Sequence, residues 1–213
     1  MALTKKARSF TGATVLAIAT VTALAGCGAA PWTTAASTPV VTPSFTPTPV
    51  ATTPAPVVVI PNDLVNGFTT HTVKAGNISV VINYNSTLTM DKWLAGANKP
   101  VTVSLTAKFP GPKKQKVYLS QITMTTGVDG PDGPLLAPAP VVEKPSQTPG
   151  LYVKSPYTYG NTFILPAVDA AATGVTLDFK IELLLQTTPT SKSYAQQTAT
   201  DTLTVAIAQP AGN

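Results

Sequence analysis

The chain has 213 residues, length for one domain plus additional segments, and only 11% of them are charged. It carries 21 prolines, one cysteine and one histidine. The single cysteine excludes an intrachain disulfide framework and a cysteine-cluster zinc site. No Arg follows Arg8, which argues against dedicated nucleic-acid recognition, because Arg makes the commonest base contact. The formal net charge of +5 is concentrated at the start: Lys5, Lys6 and Arg8 precede every acid, the first of which is Asp63. The rest of the chain is close to neutral and gives no strong electrostatic indication of a partner.

Residues 1–26 predict a signal peptide. Its basic start is followed by an uncharged apolar stretch at 10–24, FTGATVLAIATVTAL, too short for a spanning helix and suited to a signal-peptide core. The stretch runs into Leu24-Ala25-Gly26-Cys27. These four residues resemble the lipobox of bacterial lipoproteins. The resemblance implies cleavage after Gly26 and a diacylglyceryl (palmitate-type) modification on the thiol of Cys27. Two acyl chains hold a protein stably at a bilayer, at about 0.8 kcal/mol per buried CH₂. The expected location is the extracytoplasmic face of the cell membrane, with membrane lipid as the first partner.

Residues 27–61 predict a linker. From Gly28 onward they hold no charge, and Pro recurs at 31, 39, 43, 47, 49, 54, 56 and 61. Proline fixes φ and removes the amide donor, so helix and central strand are both disfavoured. The segment suits extended polyproline II at ~3.1 Å per residue, a stalk that lifts the following domain off the membrane.

Residues 62–213 predict a β domain. Strands are expected at about 68–74, 78–84, 101–109, 116–126, 151–154, 161–165, 175–186 and 198–207. In VTVSLTAKF (101–109) every position obeys period two. In VTLDFKIELLLQ (175–186) only Leu184 breaks the alternation, and the outward face carries Asp178, Lys180 and Glu182 with alternating sign. In 116–126 the apolar parity slips between Leu119 and Ile122, which predicts a bulge near Ser120-Gln121. A helical turn is expected at 89–96, capped by Thr89, with Trp93 inward. The pattern predicts an all-β, antiparallel two-sheet sandwich of immunoglobulin-like type, with a closed barrel as the alternative.

No motif specifies chemistry. His71 lies in the strand pattern FTTHTV, where an edge-strand position is its ordinary role. A triad would have to use it, yet there is no GxSxG elbow. His71, Met90 and Met124 suit soft copper only if folding gathers them. Asp129 and Asp132, in GVDGPDGP, read as turn residues and lack the ligand spacing of a calcium loop. No resident cofactor is therefore expected. Lys113, Lys114 and Lys116 form a basic knot expected at a hairpin tip. Together with Tyr157 and Tyr159 they make the candidate binding surface. The organisation of lipobox, Pro/Thr stalk and β domain resembles β-rich envelope lipoproteins of actinobacterial type. The expected function is a non-catalytic, lipid-anchored binding or structural module whose partner is an envelope protein or polymer. An extracytoplasmic hydrolase and a copper-binding carrier are the alternatives.

Overall fold

The structure is a computed structural model that describes residues 59–210. The expected signal peptide, Cys27 and most of the expected linker lie outside the described residues. Ten strands and one short 3₁₀ turn follow in order. They are β1 (Phe68–Ala75), β2 (Ile78–Asn85), the turn Met90–Lys92, β3 (Lys99–Lys108), β4 (Val117–Gly130), β5 (Gly133–Leu135), β6 (Val141–Glu143), β7 (Leu151–Tyr152), β8 (Tyr159–Leu165), β9 (Gly174–Gln186) and β10 (Tyr194–Ala206).

All pairings between these strands are antiparallel, and they form two sheets. One has the order β1-β2-β3-β8 and the other β10-β9-β4-β5, with β6 and β7 also on β4. The chain changes sheet between β3 and β4, returns between β7 and β8, and changes again between β8 and β9. The three-stranded block β4-β9-β10 thus faces the block β2-β3-β8, which is immunoglobulin-like connectivity with β1 added outside β2. Alternation in the sequence turns one face of each sheet inward. Ile78, Val80, Ile82 and Tyr84 of β2 meet Leu177, Phe179, Ile181 and Leu183 of β9 in one core.

Sheet register explains several local features. The pairing of β4 with β9 shifts between Leu119 and Gln121, so the expected bulge lies where the parity slipped. The Ser120 hydroxyl donates to the Glu182 carbonyl (3.0 Å), giving that carbonyl a side-chain partner at the bulge. Beyond it, β4 continues to Gly130, longer than the expected strand. Its second edge is covered piecewise by β5, β6 and β7. Two of these, β5 and β6, fall outside the strands the sequence predicts. Each is three residues long and comes from the proline-rich stretch 131–149, and proline is tolerated on a sheet edge because no ladder donor is needed there.

The turn before β3 is 3₁₀ and short. Thr89 sits at its N-cap but makes no side-chain cap hydrogen bond, unlike the expectation. Trp93 is fully buried, as expected, and its indole N–H donates to Ser86 Oγ (3.1 Å). Lys99 is also fully buried. Its ammonium donates to the carbonyls of Leu94 (3.1 Å), Ala95 (3.2 Å), Ala97 (2.6 Å) and Pro166 (3.4 Å). Burial pushes its pKa below the usual lysine value.

Candidate functional site

The domain has two unlike ends. Residues 59–67 approach β1 at one end, where Asp63 N–H donates to the Thr204 carbonyl (2.8 Å) near the close of β10. That end holds Asp63, Asp91, Asp129, Asp132 and Asp169 in loops or strand termini. The opposite end is formed by the β1–β2 turn and the loops β3–β4, β7–β8 and β9–β10. It carries Lys74, Lys108, Lys113, Lys114, Lys116, Lys154 and Lys192, and no acid occurs in segments 108–118, 150–160 or 184–196.

Four of the six tyrosines gather at this basic end, on the outer face of the β4 sheet. Tyr118, the second residue of β4, lies between Tyr152 and Tyr194, with ring centroids 5.7 Å away on both sides. Tyr157 lies 4.9 Å beyond Tyr152. The row therefore runs Tyr157, Tyr152, Tyr118, Tyr194, with rings inclined or edge-on to one another, the preferred aromatic geometry. Tyr157 is 58% exposed. Burial, reinforced by the neighbouring Tyr157, raises the pKa of the Tyr152 hydroxyl.

Side chains brace the loops around the row. Lys154 folds back to donate to the carbonyls of Pro112 (3.1 Å), Lys113 (3.0 Å) and Gln115 (2.9 Å), and its ammonium sits 5.6 Å from the Phe109 ring centroid. The buried Gln115 amide donates to the Gln186 carbonyl. Gln186 in turn accepts from Lys116 N–H (3.2 Å) and donates to the Ser191 carbonyl (2.6 Å). The β3–β4 and β9–β10 loops are thus tied together, which lowers the ordering cost of binding anything against them. Beside them, a shallow cavity of about 320 Å³ is lined by Lys74, Asn77, Ser79, Lys108, Phe109 and Pro110.

Two expectations need correction. Lys113, Lys114 and Lys116 are exposed, but not at a hairpin tip: β3 and β4 belong to opposite sheets, so their loop crosses the end of the sandwich. Tyr159 does not belong to the surface. It opens β8, pairs with Leu105 and is 5% exposed, because the strand's alternation turns it into the core. Its hydroxyl is buried without a hydrogen-bond partner among the described residues, and burial is the main cause of its raised pKa. Tyr118 and Tyr194 take the place assigned to it. For Tyr118 a signal was available, since it stands on the outward parity of the strand expected at 116–126, where a large aromatic residue has no core to fill. Tyr194 precedes the strand expected at 198–207, and its face is fixed only by β10 beginning there.

A second polar cluster closes one side of the sandwich. His71 of β1 and Asp201 of β10 occupy inward-facing positions on the two edge strands. His71 Nδ1 lies 2.9 Å from Asp201 Oδ2, and the Tyr84 hydroxyl donates to the same oxygen at 2.8 Å. Tyr84 is fully buried, and its pKa is raised by burial first and by Asp201 second. Among the described residues no Ser or Thr hydroxyl is hydrogen-bonded to His71. Met124 is in the core, facing Phe179 across the sheet, and Met90 is in the 3₁₀ turn, so His71, Met90 and Met124 belong to three separate parts of the fold. Asp132 is in the tight turn joining β4 to β5 and Asp129 is just before it, near the end of β4, the ordinary role expected of them. Among the described residues no three His, Cys, Asp or Glu side chains come together.

No known family model matches the chain, and no curated protein matches it. The residues themselves carry the functional reading.

Proposed function

We propose that this protein is a lipid-anchored cell-envelope protein, held at the extracytoplasmic membrane face through Cys27, whose β-sandwich is a non-catalytic binding module. The observation that carries the binding half is the braced row of Tyr157, Tyr152, Tyr118 and Tyr194 among exposed lysines. It stands at the end of the domain away from the incoming chain. Tyrosine is enriched where proteins meet partners, because it offers a rigid apolar ring with a polar tip. The anchoring half rests on Leu24-Ala25-Gly26-Cys27 behind a basic, apolar leader.

The hydrolase and copper alternatives have less support. The His71–Asp201 pair takes the Tyr84 hydroxyl as its further partner and spans the two sheets, an arrangement suited to closing the sandwich. Cys27→Ser tests the anchor. The variant is expected to accumulate as unprocessed precursor and to lose the lipid-shifted mass of the mature form. A Cys27→Ser protein that still appears processed and membrane-bound overturns the anchoring.

A further inference from the structure

We infer that the tyrosine–lysine end binds an anionic polysaccharide, a polymer of sugar rings carrying carboxylate groups. The inference rests on the binding reading above and adds the ligand class. Two observations at the same end of the domain carry it, with Lys74 and Lys108 on the outer face of the opposite sheet and the other five lysines in the loops on the tyrosine side. The first is charge: seven of the eleven lysines among the described residues are at this end, and its loops contain no acid. Such a field attracts polyanions and repels cationic partners. The second is the aromatic row, whose rings follow one another at 4.9 to 5.7 Å along a polar sheet face rather than inside a groove.

A row of partly exposed rings suits an extended chain of repeating units better than a compact ligand. The apolar C–H faces of sugars can rest on tyrosine rings while the hydroxyl tips meet sugar hydroxyls. Lysine ammoniums then take the acidic substituents as point charges, a role that needs no forked guanidinium. A bare polyanion would use the lysines and leave the tyrosines without purpose. A neutral glycan would do the reverse. A protein hot spot is commonly built from Trp and Arg beside Tyr, and this end has neither Trp nor Arg.

The test is affinity electrophoresis of the full lipidated chain in non-ionic detergent, through gels containing alginate, neutral dextran or inorganic polyphosphate. Alginate is expected to retard the protein strongly, polyphosphate weakly and dextran not at all. Retardation by alginate should fall as salt rises, since exposed charges are screened. Tyr157→Ala should weaken alginate binding about fivefold, the scale of one aromatic contact, and leave the polyphosphate response unchanged. Lys113→Gln with Lys114→Gln should weaken both. These residues are exposed, and unchanged circular dichroism confirms that the variants fold. Equal retardation by polyphosphate and alginate, or indifference to Tyr157→Ala, overturns the glycan assignment in favour of simple charge. No retardation by alginate overturns the ligand class while leaving the anchor, whose own test is Cys27→Ser, untouched.

Discussion

Asp201→Ala should be the most damaging single change on the edge of the sandwich. The carboxylate accepts from Tyr84 at 2.8 Å and pairs with His71 at 2.9 Å, and only 11% of its side chain is exposed. Removing it leaves the Tyr84 hydroxyl fully buried without an acceptor, which costs about 1–3 kcal/mol. His71 is 26% exposed and can turn to water, so its lost pairing adds at most ~1 kcal/mol. The alanine relieves the desolvation of the carboxylate, so the net loss is about 2–3 kcal/mol. For a domain of this size that lowers Tm by roughly 4–12 °C. Asp201→Asn keeps a carbonyl oxygen for Tyr84 and should cost about half as much. Thr200→Ala, an exposed neighbour on the same strand, is the control and should fall within about 0.5 kcal/mol of the parent. Thermal and urea unfolding of the full chain, followed by circular dichroism, reads all three. If Asp201→Ala unfolds no more easily than Thr200→Ala, the cluster does not hold the sheets together and the reasoning fails.

Two further outcomes follow from the same geometry. Tyr84 is held protonated in the fold while an unfolded tyrosine ionises near pH 10, so the stability it contributes is fully present below pH 10. That stability is lost above pH 10, at up to ~1.4 kcal/mol per pH unit. Tyr84→Phe should flatten the alkaline fall in a pH series of unfolding curves, and a slope identical to the parent's refutes the assignment. Gly150→Ala should destabilise by about 1–3 kcal/mol, because an added Cβ runs into the backbone carbonyl of Leu119 beside the bulge. The change should also alter the near-ultraviolet signal of the tyrosine row, since Gly150 directly precedes the short strand that places Tyr152.

Strand positions were legible wherever the period was clean. VTVSLTAKF became β3 within two residues, and VTLDFKIELLLQ became β9 within one. The parity slip before Ile122 marked a real shift of register. The edge strands β5 and β6 were hidden because three residues carry no period and the prolines beside them read as loop. The edge cluster was half visible. In both β1 and β10 a polar residue sits on the apolar parity, His71 between Thr69 and Val73 and Asp201 between Ala199 and Leu203. Each exception alone looks like noise; only the pairing of two edges across the sandwich shows that they answer each other. The binding surface was legible in kind but not in membership. The sequence brought Tyr157 and Tyr159 together as neighbours. Tyr157 stays in the β7–β8 loop while Tyr159 opens β8 and turns into the core, and partners far along the chain, Tyr118 and Tyr194, join the row instead.

The Lys99 ammonium among four backbone oxygens gives the β2–β3 connection a cation that cannot diffuse away. A bend gathered around a free ion would slacken whenever a chelator or a dilute medium stripped that ion out. Here the charge arrives on its own tether, so the bend keeps its form whatever salts bathe the protein. The drawback is intolerance at one position: a shorter amine falls short of the oxygens, and a flat, forked guanidinium cannot stand in for a compact donor at their centre.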